Sequence, residues 1–538
     1  MAETTESAPP VPAKAEGPWK PKFNPWLIAV VVALAAFMEV LDTSIANVAL
    51  PHIAGNLGAS NDESTWVLTS YLVSNAIVLP ISGWLAGLFG RKRFFLVCIL
   101  LFTLSSLACG AAPTLGLLIV FRVIQGVGGG GLQPTAQAIL ADTFPPQQRG
   151  MAFALYGVTT IMAPTIGPTL GGWITDNYSW RWIFYINLPI GILTLFLVLR
   201  MVEDPPYLAR LKGAGLRVDY IGIALLALGV GALQILLDKG QEDDWFGSHF
   251  ITTLALVSAT CLIALVFWEW RRDQPVIDVR LFKSFNFATA NLMMFTLGII
   301  LFSSLVMMPQ FLQTLMGYTA QSAGMVLSAS GFVVLLMMPV VGQLTTKFPA
   351  KYIIAFGWLA LACAMYYSTV RVDLLISFKA AAWLRVAQSF GIGFLFVPIT
   401  LAGYIGIPPE KSNSVSGLVN FMRNMGSSVG TSMVTTMLAR RAQFHQSVLS
   451  YHTNNFDPVF RNQVSGLGQQ LFHSGVSAAD AKTHAYGLIY QSMRAQAQTL
   501  AYIDTYKVLA VGASIMFLLA FIVRKNDPHA GGGEAAVG

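Results

Sequence analysis

The stretch Phe121–Gly130, FRVIQGVGGG, decides the fold because a related stretch occurs a second time in the chain, as LRVAQSFGIG over 384–393. Arg122 matches Arg385 at an offset of 385 − 122 = 263 residues, and Gln125 matches Gln388 at the same offset. Further pairs share this offset, namely Pro145 with Pro408, Pro146 with Pro409, and Gly167 with Gly430. One offset held over so long a stretch indicates an internal repeat, so the sequence predicts two related halves.

The composition is that of a membrane protein. Of the 538 residues, 55% are hydrophobic and 11% are charged, whereas soluble domains are about 25% charged. The apolar residues recur in windows of roughly 20, the length that crosses a bilayer as an α-helix, while a β-barrel would show short alternating strands. We therefore predict an all-α polytopic membrane protein with fourteen transmembrane helices. The predicted spans are 25–50, 64–87, 94–113, 115–138, 150–174, 182–202, 219–238, 251–270, 287–313, 321–345, 352–371, 380–404, 414–439 and 503–524.

Two six-helix halves around an inserted two-helix hairpin form the predicted architecture. Parallel halves related by an axis along the membrane normal are typical of secondary transporters, whose substrate site lies between the halves near the midplane. The predicted regions are a disordered cytoplasmic tail 1–24, an N-terminal bundle 25–202, a linker 203–286 that contains the two extra helices, a C-terminal bundle 287–525 with a long external loop 440–502, and a flexible cytoplasmic tail 526–538.

Lysine and arginine are distributed unequally between the predicted loops. The short loops on one side carry few of them, namely Arg181, Lys239, Arg371 and Lys379. Most of the others fall on the side of the two termini. Because positive residues are retained in the cytoplasm, both termini are predicted to be cytoplasmic.

Two carboxylates lie in the first predicted span, within FMEVLDTSIANVALP at 37–51. An ionised carboxylate in a bilayer costs at least ~2.5–3.5 kcal/mol on insertion scales, so such a residue usually has a function. Glu39 and Asp42 are three residues apart and share one helix face. Burial favours the protonated form of a carboxylate and a nearby cation favours the charged form. Both acids are therefore candidates for proton coupling.

Arg122 places a permanent charge inside the fourth predicted span, where it needs a partner. Gln125 lies on the same helix face at i+3. The glycines that follow invite comparison with a nucleotide-binding loop, but no Gly-Lys-Ser/Thr follows and the flanks are membrane helix. We expect the glycines to permit close packing or bending. Arg122 is then either a functional cation or a purely structural clamp.

The segment GWLAGLFGRKR, between spans two and three, is a candidate conformational motif. Gly83 and Gly87 are expected to allow close helix approach. Arg91 and Lys92 would hold the loop in the cytoplasm as a topology anchor. Alternatively, they form a latch with a neighbouring helix that breaks and re-forms during transport.

The fifth span contains GVTTIMAPTIGPTLGG. Pro164 and Pro168 each remove a backbone donor and bend the helix, which neighbouring helices can tolerate in a membrane. The matching segment from Gly426 in the second half lacks both prolines, as expected if the fifth span is a hinge or seal used by one half. The simpler interpretation of the fifth span is a kinked, tightly packed helix. The glycines expected to form its smooth face are Gly157, Gly167, Gly171 and Gly172.

Polar and adaptable side chains of the later spans are candidates for substrate contact. The ninth span carries methionines, which adapt to varied ligand shapes, although such a stripe is more often core or lipid-facing. Arg423 is a further intramembrane cation, while Arg385 is either functional or a relic of the repeat with a structural partner. The candidate cavity residues are Gln125, Asn291, Phe295, Gln310, Asn420 and Arg423.

Several function classes are not supported. The four cysteines fall in apolar windows and imply no disulfide framework, and the seven histidines lack metal-ligand spacing. The sequence contains no Walker motif, which a primary pump driven by ATP would be expected to have. We therefore expect no enzyme activity, no metal, no cofactor and no nucleic-acid partner.

Taken in order, LDTSIANVALP, GWLAGLFGRKR, RVIQGVGGGG and GPTLGG resemble the fourteen-helix drug:proton antiporter branch of the major facilitator superfamily, from about residue 25 to 525. The resemblance implies the major facilitator fold and proton-driven export of hydrophobic or amphipathic drugs across a bacterial inner membrane. It also implies a tripartite assembly with a periplasmic membrane-fusion adaptor and an outer-membrane channel. The segment 440–502, in which Ser477 and Asp480 stand at capping-box spacing, is either the contact for such a partner or a solvated cap over the pore.

The resemblance also ranks the site residues. Asp42 lies within LDTSIANVALP and is expected to be essential, with Arg122 as its leading partner and Glu39 as a weaker helper. Gly87 stands where the superfamily usually has aspartate, which argues against a charge relay through that carboxylate. The alternative function is a proton-coupled metabolite carrier, a symporter or uniporter, against which the GPTLGG helix argues.

Overall fold

The computed structural model describes residues 21–205, 218–451, 453–454 and 456–522. The predicted tails 1–24 and 526–538 therefore lie outside the described residues, apart from 21–24. Part of the predicted linker, 206–217, lies outside them as well.

The described residues are mostly helical and contain no β-strand. The helices before the inserted hairpin are α1 (Pro25–Leu57), α2 (Asn61–Phe89), α3 (Arg91–Ala111), α4 (Leu115–Thr143), α5 (Pro146–Asn177), α6 (Trp182–Tyr185) and α7 (Asn187–Met201). The hairpin is α8 (Tyr220–Lys239) and α9 (His249–Arg271). The helices after it are α10 (Phe285–Thr314), α11 (Ala320–Lys347), α12 (Ala350–Arg371), α13 (Phe378–Gly393), α14 (Phe396–Gly403), α15 (Ser412–Ser450), α16 (Pro458–His473) and α17 (Ala478–Ala520).

Capping residues explain several of these boundaries. Asn24 accepts from the amide of Trp26 at 2.9 Å, and Pro25 opens α1 at a position where its missing amide is not needed. Gly58 ends α1 in the left-handed conformation, at φ 65°, which favours glycine. Ser60 and Glu63 form a reciprocal capping box at the start of α2. Local sequence therefore fixes the turn that joins the first two helices.

Among the described residues, 13 helical segments are long and apolar enough to cross a membrane, one fewer than predicted. The predicted span 414–439 lies within α15, which has 39 residues but is too polar to satisfy that test. Its polar residues, including Asn420 and Arg423, are buried against protein. A helix that α2, α10 and α17 cover can hold polar residues that lipid would not accept.

Helix packing follows the repeat. α1 packs against α5 in the same way that α10 packs against α15. The two halves meet where α5 contacts α11 and where α2 contacts α15. At one end of the bundle, here called the terminal end, lie residues 21–25, 90, 144–145, 202–205, 348 and 404–411. At the opposite end, here called the loop end, lie 58–60, 112–114, 178–181, 240–248, 315–319, 372–377, 451, 453–454 and 456–477. The site described below lies between these ends.

The inserted hairpin lies across one junction of the two halves. α8 packs against both α2 and α15, and α9 packs on α8. Thr69 of α2 bonds Asp238 of α8, while Ser428 of α15 donates to Gln234 of α8 at 2.9 Å. The hairpin therefore contacts both halves rather than standing apart as a separate linker.

The segment 440–502, predicted as a long loop, is largely helical where it is described. α15 continues to Ser450, α16 follows, and α17 begins at Ala478 and runs without a break to Ala520. With 43 residues, α17 is roughly 65 Å long, whereas a bilayer core is about 30 Å thick. The segment is therefore built largely from helices, and α15 and α17, with 39 and 43 residues, are both longer than the roughly 20 residues that cross a bilayer. Ser477 starts α17 by accepting from the amide of Asp480 at 3.2 Å, as its capping-box position suggested.

Candidate functional site

Asp42 lies deep in the first half with 2% of its surface exposed. One carboxylate oxygen accepts from Arg122 Nη1 at 2.6 Å. The other accepts from Gln125 Nε2 at 3.0 Å and from Asn187 Nδ2 at 2.6 Å. A buried charge needs both a counter-ion and hydrogen bonds, and Asp42 has both. The pairing with Arg122 expected from the sequence is present.

Arg122 is fully buried and is held on several sides. Its Nε donates to the carbonyl of Val67 at 3.0 Å, and its Nη1 also donates to Gln125 Oε1 at 2.8 Å. The guanidinium carbon lies 4.3 Å from the centre of the Tyr71 ring and 5.7 Å from that of Phe184. Aromatic faces attract a desolvated cation. Arg122 therefore keeps stabilising contacts even if Asp42 loses its charge.

Glu39 lies one helical turn from Asp42 and is 4% exposed. Its Oε1 accepts from the hydroxyl of Tyr71 at 2.9 Å and from Asn75 Nδ2 at 3.1 Å. Its Oε2 accepts from Gln133 Nε2. This carboxylate is surrounded by neutral donors, whereas Asp42 faces a guanidinium. The two acids therefore occupy different environments, and Glu39 is as well enclosed as Asp42.

Two amide side chains connect Glu39 to the second half. Gln133 Oε1 accepts from Arg423 Nη2 of α15 and from the hydroxyl of Tyr156, the latter at 3.3 Å. Asn75 Oδ1 accepts from Asn424 Nδ2 of α15 at 3.1 Å. The network around Glu39 is thus part of the contact between the halves.

The glycines of α4 allow it to pack closely between α2 and α3. A side chain at Gly130 would lie 2.7 Å from the carbonyl oxygen of Asn75, and one at Gly128 would lie 2.8 Å from the amide of Phe102. The close-packing interpretation of this run is therefore correct. This packing places the polar residues of α4 against α1 and α2.

The prolines of α5 leave carbonyls without their helical donors. Pro168 has no amide, so the carbonyl of Pro164 lacks its usual bond, and Ser44 Oγ of α1 donates to it at 3.3 Å. Gly167 permits this approach, because a side chain there would lie 2.3 Å from Ser44 Oγ. Gly171 likewise lies against Ile45. The proline-glycine segment is therefore the surface on which α1 packs.

The remaining glycines of α5 differ in their surroundings. A side chain at Gly157 would lie 3.0 Å from Phe396 and 3.1 Å from Met338, both beyond the hairpin. One at Gly172 would reach only ordinary contact with Val48, at 4.0 Å. Gly157 therefore lies where α5 meets the second half.

Arg91 forms a buried ion pair with Asp142 and donates to the carbonyl of Ala138 at 3.1 Å. Lys92 donates through its amide to Asp204 at 2.7 Å and through Nζ to the carbonyl of Leu199, also at 2.7 Å. These residues thus tie the start of α3 to the ends of α4 and α7. They contact neighbouring helices, as a latch would, in addition to any effect on topology.

Gly83 and Gly87 do not share one role. A side chain at Gly83 would lie 2.8 Å from backbone atoms of Ser414 in α15, so Gly83 allows the halves to touch. Nothing lies within 4 Å of the corresponding position at Gly87. The expectation that Gly87 permits close helix approach is therefore wrong. It lies one turn after Gly83, nearer the end of α2, where nothing approaches within 4 Å of this position.

The predicted substrate residues do not line one cavity in this structure. Asn420 donates to Gln137 at 2.8 Å and Arg423 to Gln133, both across the halves. Asn291 is fully buried and donates to the carbonyl of Phe287 at 2.8 Å. Gln125 belongs to the Asp42 site. The half-buried Phe295 lies against α15, where its carbonyl would be 2.0 Å from a side chain at Gly426.

Gln310 lines a separate cavity of about 630 Å3 at the loop end of α10, α15 and α17, which also contacts Tyr490, Gln498 and Tyr502. Within the described ranges, no group of three or more His, Cys, Asp or Glu side chains is placed to hold a metal ion.

Arg385, the counterpart of Arg122 in the repeat, is 1% exposed. It donates to Gln388 at 2.8 Å, as Arg122 does to Gln125, and Gln388 donates to Ser368 Oγ at 2.9 Å. No acidic residue pairs with Arg385 in the part of the chain that the structure describes. The arginine–glutamine pair is therefore present in both halves, whereas among the described residues an acidic partner of that arginine is present in the first half alone.

Comparison with known proteins agrees with this architecture. The sequence profile described as Major Facilitator Superfamily matches residues 32–431. The chain belongs to the Major Facilitator Superfamily. This membership, and the names of the relatives given next, confirm the resemblance inferred from the four motifs.

Several relatives of this superfamily member are named for export or resistance. The chain is 39% identical to the Multidrug export protein EmrB of Escherichia coli (strain K12), covering 82% of this chain and 86% of that protein. It is 40% identical to the protein of the same name from Haemophilus influenzae, covering 86% and 88%. It is 35% identical to the Fatty acid resistance protein FarB of Neisseria gonorrhoeae, covering 94% and 97%.

A solved structure supports the major facilitator fold. The proton:xylose symporter XylE matches with a TM-score of 0.60, covering 94% of this chain and 97% of that one, at 14% sequence identity. So low an identity supports the fold alone. The membrane location and the helical fold of this superfamily member thus agree with the prediction, and the chain is a multi-pass membrane protein.

Several site residues of this superfamily member were not singled out from its sequence, namely Tyr71, Asn75, Gln133, Tyr156 and Asn187. A signal existed for Gln133, because it lies eleven residues after Arg122, about three helical turns, and so on the same face. Tyr71 and Asn75 share a face of α2 at i+4. Asn187 carried no such signal, since it is the first residue of α7 and reaches Asp42 only through the tertiary fold.

Proposed function

We propose that this chain exports hydrophobic or amphipathic drugs and other toxic compounds across the bacterial inner membrane in exchange for protons. The observation that carries this proposal is the buried pair of Asp42 and Arg122, 2.6 Å apart inside a bundle of apolar helices. A buried carboxylate that can be neutralised by a proton is the simplest device for coupling proton entry to a conformational change.

The chemistry at Asp42 follows from its contacts. A proton that binds Asp42 removes the charge that Arg122 neutralises, and breaking a buried pair in this way costs about 3–5 kcal/mol. Arg122 retains Val67, Gln125 and the Tyr71 ring, which lowers that cost for the protonated state. Each proton charge that crosses the membrane gains ~2.3 kcal/mol per 100 mV, which is of the same order.

The two carboxylates divide the task. With the site open toward the proton-rich side, a proton binds and weakens the attraction between Asp42 and Arg122. After the site opens toward the cytoplasm, the proton leaves and the carboxylate again pairs with arginine or attracts a cationic substrate. Glu39, next to the contact between halves, assists proton transfer or contacts cationic substrates. By reciprocity, drug binding must then change the affinity for protons.

The names of the relatives favour export over the alternative, a proton-coupled metabolite symporter or uniporter. Relatives that cover most of this chain are called multidrug export and fatty acid resistance proteins. Counterflow in inverted vesicles separates the two functions by the direction of transport.

We further propose that both termini are cytoplasmic and that the loop end faces the periplasm. There α15, α16 and α17 project beyond the apolar layer. We propose that this projection contacts a periplasmic membrane-fusion adaptor, which leads to an outer-membrane channel. The proposed regions 25–202 and 287–525 act as the rocking units, and the latch of Arg91 and Lys92 holds together the terminal end of the first unit.

The decisive experiment measures proton release on drug addition to detergent-solubilised protein. Wild-type protein is expected to release protons, Asp42→Asn to release none, and Asp176→Asn, an exposed acid at the loop end, to behave as wild type. Unchanged release in Asp42→Asn would remove Asp42 from the mechanism. Drug accumulation in vesicles that is unaffected by an uncoupler would overturn proton antiport itself.

A further inference from the structure

The orientation of Gln133 is fixed by its neighbours on two sides. Its Nε2 donates to Glu39, and its Oε1 accepts from Arg423 of the second half and from Tyr156. An arginine can only donate hydrogen bonds, and an ionised carboxylate can only accept them. With Glu39 ionised, a single orientation of the amide therefore satisfies both neighbours.

Protonation of Glu39 reverses this requirement. A proton on Oε2 makes that oxygen a donor facing the Nε2 donor of Gln133. The protonated oxygen keeps some capacity to accept, but its O–H group is a strong donor, so turning the amide over to offer Oε1 to Glu39 gives the better bond, and Nε2 then faces Arg423. Tyr156 can accept from Nε2 because a hydroxyl is both donor and acceptor, but Arg423 cannot, so the bond to the second half is lost.

We propose that Gln133 is a positioning residue that converts the charge of Glu39 into the strength of the contact between α4 and α15. This inference rests on the proton exchange proposed above, but it concerns a different side chain and a different step. The ionised state of Glu39 holds the halves together at the centre, and the neutral state releases them. The two glutamines of α4, Gln133 and Gln137, are then distinct, because Gln137 also bonds α15 but does not contact Glu39.

The second amide connection depends less on the charge of Glu39. Asn75 donates to Oε1, the oxygen that the Tyr71 hydroxyl also contacts. Because Oε1 already accepts two bonds and Oε2 accepts one, the proton goes to Oε2 and Oε1 remains an acceptor, so Asn75 need not turn over and keeps its bond to Asn424. Gln133 faces Oε2 itself, so the proton on Glu39 acts on Gln133 and not on Asn75.

Other titratable or charged groups face Glu39 from the helices around it, namely Asp42 on α1, Tyr71 on α2, Arg122 on α4, Tyr156 on α5 and Arg423 on α15. In the part of the chain that the structure describes, Asp42 is the other carboxylate of this network. A pH response that survives Asp42→Asn and disappears in Glu39→Gln therefore belongs to Glu39.

The test measures the separation of the halves in the full-length protein. Spin labels at Asn177→Cys and Thr319→Cys, at the loop ends of α5 and α11, report this distance in nanodiscs. Cys261 and Cys363 are replaced by serine, while Cys98 and Cys109 are buried and can stay. In wild type, the population of molecules at the closed distance, divided by the population at all other distances, should rise about five-fold from pH 5.5 to 8.5. This is the effect expected of roughly one net hydrogen bond.

The variants give opposite signatures. Gln133→Met should lose the pH response by lowering the closed fraction at high pH. Gln133→Glu offers acceptor oxygens to both sides, so it should lose the response by retaining the closed fraction at low pH. Gln137→Met should lower the closed fraction at every pH and keep the five-fold response. If Gln133→Met does not fold, Gln133→Glu alone decides the question.

If either Gln133 variant keeps the five-fold pH response of the closed population, the proposed role of Gln133 is wrong. That result leaves the proposed function intact if the wild-type protein still releases protons on drug addition. Absence of proton release in the wild type overturns the proposed function, whatever the label distances show.

Discussion

The side chain of Tyr71 links the two acidic sites through Arg122: its ring centre lies 4.3 Å from the guanidinium carbon. The hydroxyl of the same residue donates to Glu39 at 2.9 Å. One side chain thus contacts the cation that neutralises Asp42 and the carboxylate of Glu39. A change in the charge of Glu39 or Asp42 therefore alters the surroundings of Tyr71, which contacts Glu39 directly and Asp42 through Arg122.

Tyr71→Phe separates the two contacts, because it keeps the ring under Arg122 and removes the hydroxyl. A hydrogen bond to a charged group contributes about 1.5–3 kcal/mol, so proton-driven drug efflux should fall roughly ten-fold or more. Efflux from proteoliposomes with an imposed pH gradient measures this effect. Tyr71→Leu also removes the cation–π contact and should lower the melting temperature further. Equal efflux in Tyr71→Phe and wild type would show that the hydroxyl has no part in coupling.

Gly83→Val should prevent the terminal ends of α2 and α15 from meeting, since a side chain at this glycine would lie 2.8 Å from the backbone of Ser414. The protein should then favour a form in which these ends are apart, and transport should slow by an order of magnitude or more. Maleimide labelling of Ser414→Cys should become faster in the variant. Gly87→Val is the matched control, because nothing lies within 4 Å of it, and its labelling rate and transport should match wild type.

Asp142→Asn should destabilise the terminal end, because Arg91 is 2% exposed and would lose its counter-charge. Removal of one partner from a buried pair costs about 3–5 kcal/mol. Denaturant unfolding in detergent measures the loss. Lys22→Ala removes an exposed pair with Glu203, whose side-chain atoms are 3.2 Å apart, and should cost only about 0–1 kcal/mol. Similar losses in the two variants would contradict the buried character of the Arg91 pair.

The junction before α8 should be sensitive to acid. Burial alone would raise the pKa of Asp219, but the amide of Gly222, the indole of Trp268 and the guanidinium of Arg272 together lower that pKa below its ordinary value. A lowered pKa in the folded state stabilises the protein above the unfolded pKa, about 3.9, and this contribution disappears as the pH falls through the folded pKa. Wild type should therefore melt higher than Asp219→Asn at pH 6, and the difference should shrink below about pH 4. Thermal melting measures both proteins from pH 3 to 7. A difference in melting temperature that stays constant over this range would exclude the linkage.

The internal repeat and the apolar windows were enough to predict the helical membrane fold. For 440–502 they indicated, together with the capping-box spacing, the helix start at Ser477 but not the continuation of α15 to Ser450 or the separate helix α16, because polarity alone does not distinguish a loop from a helix outside the membrane. They also gave no means of telling Gly83 from Gly87, since only the neighbour from the other half distinguishes them. Close approach is a property of two surfaces, and the sequence around one glycine describes one of them.

For the site, a charge was easier to predict than its neutral surroundings. Asp42 and Arg122 stand out because ionised groups are rare in apolar helices. Asn75, Gln133 and Asn187 are uncharged, and amides of that kind occur in many membrane helices without a special role. Their importance here comes from which carboxylate they face, which depends on the packing of α2, α4 and α7 around α1.

Arg385 keeps the place of Arg122 in the repeat but has no acidic partner among the described residues. The two halves are therefore similar in shape and unlike in electrical behaviour. A membrane voltage acts on a charge that appears and disappears, and Glu39 and Asp42 place such a charge deep in the first half. We infer that the first half responds to the proton gradient while the second half serves as a fixed positive counterpart, so two bundles of similar shape move together although the proton acts on one of them.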